Sequence, residues 1–488
     1  MKNIIKITCL LFIVVISSCS EDVLKEESKG TITDASFWNT EEDALVAIRA
    51  AYYQTATSFN GGYGLWQYVV DDLGVDYGAG GYNGSAPYTE YTNWTSTNPS
   101  FTSWGIWPQM WQMIGKTNLV LKRVPDMTID ESAKSRILGE AYGLRAMGYF
   151  TMLNWFGPMA EITDSDDTRV EIPRGTVESN YALIQSDLEK AIELLPLKSE
   201  LVGAGESEYG RLTKGSVQGL LAKVYAEQGK WQELATITQQ IINSNEYGLD
   251  PSYLNIFSLD NEGFKNVESL WTMPFITGTS PNIPAQVFHV YLYRASEIND
   301  YDHYNDWGGS IRATTEFYNS FESGDLRRNG LFYSTTDGNA GLEDPVMIIK
   351  HPADPASQGS RNGNDYYFIR YADILLMRAE ALNNLGDISG AVAEINKVRM
   401  RAGVSDLDPG LFNQSTLHDQ IFNERRWELY FEGHGKRDMK RMKYDMMIDY
   451  IKSKSSDWQT FGAERYLVLP IPALALSANP LLTQNEGI

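Results

Sequence analysis

Residues 214–243 read KGSVQGLLAKVYAEQGKWQELATITQQIIN. Apolar and small side chains return every three or four positions through 214–228, stop at Gly229-Lys230, and resume through 231–243. That spacing gives a helix one continuous apolar stripe. A glycine at the break lets the chain leave the first helix in a left-handed turn. The stretch predicts two helices folded back on each other. Residues 369–401, IRYADILLMRAEALNNLGDISGAVAEINKVRMR, repeat the plan, with helices expected over 369–385 and 388–401 and the break at Gly386-Asp387.

Small residues recur in both hairpins: Ala222, Ala226, Gly229 and Ala235 in the first, Ala379, Gly386 and Ala391 in the second. They allow antiparallel helices to approach closely. The pattern resembles tetratricopeptide-like hairpins of about 34 residues, although ordinary helical packing accounts for it as well. Helical spacing also covers 41–58 with Thr40 as N-cap, 104–124, 131–156, 177–195, 416–432 and 436–452. Two stretches resist this reading. Residues 59–103 are rich in Gly, Asn, Tyr, Ser and Thr, and 248–355 are broken by Pro251, Pro274, Pro281, Pro284 and Pro345. Short strands are expected at 268–275 and 346–350. Loops this long are uncommon and usually functional. The expected architecture is mainly α: a tetratricopeptide-like helical-hairpin scaffold with large irregular insertions at about 59–103 and 248–355, a few short strands, and a single domain over 41–488.

The N-terminus places this scaffold. Lys2 and Lys6 precede an apolar run from Ile7 to Ile16, and Ser17-Ser18 lead to Cys19. A charged start, a short apolar core and small residues mark a secretory signal. About twenty apolar residues are needed to cross a bilayer, and this run is shorter. Small residues ending on a cysteine resemble a bacterial lipoprotein signal. That resemblance implies a signal peptide over 1–18, lipidation of Cys19, and a tether over 19–40. The acidic residues after the cysteine, Glu21 and Asp22, resemble an export signal to the outer cell surface; a solvated linker is the plainer reading. The other cysteine, Cys9, lies inside the leader. No disulfide is then expected in the body.

The formal charge is −22 over 488 residues, and 43% of the chain is hydrophobic. The composition is that of a globular protein. The acidity argues against nucleic acid, which rewards basic patches.

Six motifs in order look like one family. They are Glu140-Ala141-Tyr142 with Arg145 and Trp155-Phe156-Gly157-Pro158; Trp107, Trp111 and Asn118 before them; Thr213-Lys214-Gly215 into Gly229-Lys230-Trp231; Arg370-Tyr371-Ala372-Asp373 with Glu380; Glu424-Arg425-Arg426-Trp427-Glu428 with Glu432-Gly433-His434 and Arg437-Asp438; and Leu469-Pro470-Ile471-Pro472 with Asn485. Together they resemble the SusD/RagB family and span nearly the whole chain. The resemblance implies an outer-membrane lipoprotein that captures nutrient, most often a glycan. It would work over a SusC-like TonB-dependent transporter, without catalysis or cofactor.

The charged residues of these motifs alternate at helical spacing. Arg425, Glu428, Glu432, Arg437 and Asp438 are expected to form a partly buried ion network between helices, which tolerates burial when every charge is paired. Arg145, Arg370 and Glu380 are expected to pin the scaffold, and Trp107, Trp111, Trp155 and Trp231 to fill the core.

A neutral sugar presents an apolar face and a rim of hydroxyls. Aromatic rings match the face at low entropic cost, and amides or carboxylates match the rim. Such residues belong on loops held by a scaffold, which points to the two insertions. Tyr82, Trp307 and Tyr304 are the strongest candidates because they sit among Gly, Asn and Asp, with Asp71, Asn83 and Tyr301 beside them. Trp94 fits a ligand role or a structural one. The chain contains no His-Glu-x-x-His zinc motif and no Gly-x-Ser-x-Gly elbow. Asp300 and Asp302 would permit a calcium ion, though no metal site is implied. Peptide capture for a similar importer, and a surface glycoside hydrolase using two of the 63 acids, remain the alternatives.

Overall fold

The computed structural model describes residues 37–56, 63–80, 86–94, 105–167, 169, 171–205, 208–276, 311–333, 346–352, 363–455 and 458–487. The leader, Cys19 and most of the tether lie outside them.

Helix α1 is Glu41–Ala56. Thr40 starts it: the Asp43 N–H donates to Thr40 Oγ1 (3.2 Å) and the Thr40 N–H donates back to Asp43 Oδ2 (2.7 Å), which satisfies two orphan donors of the first turn. The first insertion is less irregular than its composition predicts. It contains two short helices, α2 (Tyr63–Asp71) and α3 (Ala86–Thr92), with strand β1 (Gly78–Gly80) between them.

Helices α4 (Ile106–Arg123), α5 (Glu131–Phe156) and α6 (Val177–Leu194) follow, close to the expected limits. The Asp130 carboxylate caps α5 by accepting from Ser132 and Ala133 (2.9 and 3.0 Å). After a short α7 (Lys198–Val202) comes the first hairpin, α8 (Lys214–Glu227) and α9 (Trp231–Asn243). Gly229 takes φ +64° at its hinge, a conformation that glycine adopts without strain.

The second insertion supplies β2 (Ser269–Met273), β3 (Ile311–Ala313), α10 (Thr315–Ser320), β4 (Leu331–Tyr333) and β5 (Val346–Ile348). Strand β6 (Tyr366–Arg370) pairs antiparallel with β2, while β1, β3, β5 and β4 form a second sheet in that order. The second hairpin is α11 (Tyr371–Asn384) and α12 (Ile388–Arg401), hinged at Gly386 with φ +87°. The helix expected from residue 369 therefore begins at 371. Ile369 and Arg370 belong to β6, where Ile369 sits opposite Trp271.

Helix α13 covers Gln414–Leu429. The single helix expected over 436–452 is two, α14 (Gly435–Met442) and α15 (Tyr444–Lys454). The break is at Lys443, whose φ −138° and ψ 50° are not helical. Short helices α16 (Trp458–Phe461) and α17 (Ala473–Ala478) complete the elements.

The core is apolar and continuous through both hairpins, with Trp155 buried within it. Trp107, Trp111 and Trp231 are instead partly buried and pack against it. Charge also runs through the interior. Arg145 makes a two-pronged contact with Asp187 (2.7 Å from both Nε and Nη2) and donates to Asn118 (2.9 Å), tying α5 to α6 and α4. Glu380 is buried and accepts two hydrogen bonds from Arg441. Arg425 joins α13 to α11 through Asp373 (2.8 Å) and to α14 through Asp438 (2.8 Å).

Candidate ligand-binding site

Strand β1 ends the first described part of one insertion, and β3 begins the later described part of the other. They pair antiparallel, Gly78 opposite Ala313, Ala79 opposite Arg312 and Gly80 opposite Ile311. In this register Gly80 and Ile311 close the same end of the ladder. The chain runs on from Gly80 toward Tyr82 and Asn83, and it arrives at Ile311 from Tyr301, Tyr304 and Trp307. Those five residues lie outside the described residues, as do Asp300 and Asp302. A chain spans at most about 3.6 Å per residue. In sequence Tyr82 follows Gly80 by two residues and Trp307 precedes Ile311 by four.

The anchor beneath this ladder is polar and buried. Asp72 accepts from Tyr77 Oη (2.5 Å) and from the Gly433 and Gly435 N–H groups (2.6 and 3.1 Å). It thereby fixes the end of α2 to the turn before α14. Burial pushes the Asp72 carboxyl up to about 7, against these hydrogen bonds. Thr314 Oγ1 donates to the Asp76 carbonyl (2.9 Å), clamping β3 to the segment before β1.

Asp71, the sixth expected ligand contact, is placed otherwise. It is 1% exposed. Its carboxylate accepts from the Trp155 indole (3.2 Å to each oxygen) and faces Arg437 Nε at 3.5 Å. Burial raises its pKa, with Arg437 and Lys436 opposing the shift. Its hydrogen-bonding capacity is turned inward, so its role is structural. Of the other rings in the first insertion, Tyr68, Tyr77, Tyr91 and Trp94 are also buried.

One aromatic pair, half-buried Tyr318 and exposed Tyr333, escaped the sequence reading. Tyr318 on α10 and Tyr333 on β4 lie 5.5 Å apart between ring centroids, with Arg328 5.2 Å over Tyr318. Tyr333 is 41% exposed, at the far strand of the sheet that carries the β1–β3 ladder. Each follows a phenylalanine, Phe317 or Phe332, and precedes a small polar residue, and no period of two or 3.6 sets them apart.

Residues 301–487 match the SusD family, and residues 67–226 match a family described as starch-binding associating with outer membrane. SusD-like protein P2 of Formosa agariphila is 26% identical, and the alignment covers 99% of each chain. The chain belongs to the SusD/RagB family. Solved SusD-like structures show the same fold. A SusD homolog from Bacteroides thetaiotaomicron superposes with TM-score 0.80 at 21% identity, over 94% of this chain and 100% of that one. A laminarin-binding SusD-like protein does so with TM-score 0.76 at 24% identity, over 92% and 100%. The helical hairpins are thus part of a SusD-like fold. Among the described residues no helix is long and apolar enough to cross a membrane.

Proposed function

We propose that this SusD-like chain is a cell-surface glycan-binding lipoprotein, anchored through Cys19. It captures oligo- or polysaccharide and delivers it to a SusC-like TonB-dependent transporter, without catalysing a reaction. The observation that carries this reading is the β1–β3 ladder, which joins the two ring-bearing insertions at one end. The pairing of Gly80 with Ile311 brings the described ends of the two insertions together, which supports reading their rings as parts of one binding surface. The laminarin-binding relative of the same fold supports a glycan as the ligand class. The binding residues proposed are Tyr82, Asn83, Tyr301, Tyr304 and Trp307, with Asp71 withdrawn to the scaffold.

The test is a binding screen of plant, algal and host polysaccharides, with laminarin as the first probe. Trp307→Ala is expected to weaken binding to the glycan that scores, with an unchanged melting curve. A collapsed melting curve would assign Trp307 to the core. New reducing ends in the incubated polysaccharide, lost on removing a carboxylate, would favour a hydrolase. Affinity for peptides and for no polysaccharide would favour a peptide importer. Protection from externally added protease on intact cells would overturn the surface location.

A further inference from the structure

The end of α5, the start of α6, the last residue of α8, α14 and the C-terminal tail line a cleft of about 600 Å³. Small-molecule pockets span about 300–1,000 Å³. None of the lining residues belongs to the β1–β3 ladder or to the rings proposed above.

One wall is pinned by the chain itself. The backbone turns out of α5 at Gly157-Pro158, and the tail crosses this turn at Asn485. The Asn485 amide donates to the Phe156 and Leu469 carbonyls (3.0 and 2.8 Å), and its oxygen accepts from Arg174 Nη2 (2.8 Å). Arg174 also donates to the Pro158 and Thr483 carbonyls (2.6 and 3.1 Å). The tail is thereby tied to the turn, and the cleft is pre-formed, as ligand sites usually are.

Polar groups of both signs stand uncommitted on the lining. Lys440 on α14 is half-buried, and its amine has no ion pair or hydrogen bond among the described residues. The same holds for the Tyr181 hydroxyl on α6 and for the carboxylates of Glu464 and Glu486. The other charged residues there are engaged, Glu227 with Arg441 (3.4 Å) and Arg465 with the Tyr466 ring (4.8 Å). Leu153, Val177, Val468 and the Tyr181 ring supply apolar surface.

This combination selects a ligand class. An anion would meet Glu464 and Glu486, in a chain of formal charge −22, and a cation would meet Lys440. A hydroxyl both donates and accepts. A neutral ligand with several hydroxyls therefore serves the carboxylates and the ammonium together, through the stronger, charge-assisted kind of hydrogen bond. An aromatic ring beside aliphatic side chains suits the apolar face of a sugar.

We propose that this cleft is a further saccharide-binding site, taking a neutral sugar unit with its hydroxyls on Lys440, Glu464 and Glu486 and its apolar face on Tyr181. The inference rests on the glycan reading in naming a sugar, but it uses none of that site's residues. A polymer long enough to engage both places would gain avidity over either alone.

Crystals of the full chain soaked separately in maltose, cellobiose, laminaribiose, mannobiose and xylobiose test it. At least one disaccharide is expected in the cleft, with hydroxyls within hydrogen-bond distance of Lys440 Nζ. An empty cleft in every soak overturns the proposal, as does a cleft that takes trialanine and no sugar. Calorimetric titration with the bound disaccharide then separates a site from binding at crystal concentration only, which would show density without affinity in solution and also overturns the proposal. Lys440→Ala is expected to weaken that affinity about tenfold, the scale of one hydrogen bond to a charged group, with an unchanged melting curve, while Trp307→Ala leaves it as in the wild type. Equal affinity in Lys440→Ala and wild type overturns the proposal. Should Lys440→Ala melt early, Tyr181→Phe, which removes only a hydroxyl, decides in the same way. An empty cleft beside polysaccharide binding that depends on Trp307 fails this inference alone. A filled cleft beside polysaccharide binding indifferent to Trp307→Ala fails only the ladder site.

Discussion

Arg370 grips Glu432 with two parallel hydrogen bonds, Nε to Oε2 at 2.6 Å and Nη2 to Oε1 at 2.7 Å, and both side chains are almost wholly buried. The same guanidinium reaches Glu268 (2.7 Å) and Glu428 (3.1 Å), and Arg401 bridges those two carboxylates from the other side (2.8 and 2.6 Å). Lys350 adds a second cation to Glu432, its amine boxed by the rings of Tyr430 (4.3 Å), Phe257 (4.7 Å) and Tyr253 (5.4 Å). This network joins β6, the C-terminal end of α13 and the second insertion. Its charges are acceptable in the interior because each has a partner. Arg370→Met takes one cation from three buried glutamates and leaves them only Lys350 and Arg401, and breaking a buried pair costs about 3–5 kcal/mol. Urea unfolding should show a loss in that range. A loss below about 1 kcal/mol, as at exposed pairs, would mean the network is solvated.

His351 gives the acid limb of stability a specific origin. It is buried, and its ring lies 4.9 Å from that of Phe257. Burial, helped by the neighbouring Lys350, lowers its pKa to about 3. The unfolded imidazole titrates near 6.5. Below that value the unfolded chain binds a proton that the folded chain refuses. The stability is therefore complete above about pH 6.5 and drains away as pH falls toward 3, by up to about 1.4 kcal/mol per unit. His351→Phe removes this group. Its unfolding free energy should fall less steeply than the wild type's between pH 6.5 and 4, and parallel curves would show that His351 is not the proton acceptor.

Much of the scaffold was legible because long helices advertise themselves. The break at Gly229 and the N-cap at Thr40 are local signals, and no distant partner was needed to read them. The misreadings have local causes too. Tyr366-Tyr367-Phe368-Ile369 runs straight into the apolar face of α11, so only its pairing with Trp271 and its neighbours marks the strand. The break at Lys443 carries neither glycine nor proline. The helices of the first insertion have nine and seven residues, too short for a hydrophobic period to stand out. Asp71 was misassigned because a buried acid and an exposed one look alike in sequence when the partner, Trp155, is 84 residues away.

The two hairpin hinges should respond to backbone chemistry alone. Gly386 stands at φ +87° with nothing within 4 Å of where a Cβ would be. Gly386→Ala then costs only the left-handed penalty, about 1–2 kcal/mol, and Gly386→Asn less, because Asn tolerates that region. Gly143 differs: it lies within α5, and a Cβ there would meet Leu212 Cδ1 at 2.7 Å and Val217 Cγ1 at 2.9 Å. Overpacking of this kind typically costs about 1–3 kcal/mol, and there Asn should be worse than Ala. Thermal melts of the four variants check the reversal in rank order.

Tyr333 separates a ligand surface from a packing surface. Its ring packs tilted against Tyr318 but stays 41% exposed, so truncation should leave folding nearly untouched. Surface substitutions away from special features stay within about 0.5 kcal/mol. The ring is fixed in a ladder, opposite Val346 on β5, and β5 pairs with β3. A polysaccharide long enough to extend from the Gly80–Ile311 end across this sheet would meet it. Tyr333→Ala is then expected to weaken binding of a long glycan by about 1 kcal/mol, the scale of one aromatic contact, and to leave a short oligosaccharide unaffected. Calorimetric titration with a chain-length series measures both. An equal loss at every length would place Tyr333 inside the primary site, and no loss at any length would confine the glycan to the far end of the sheet.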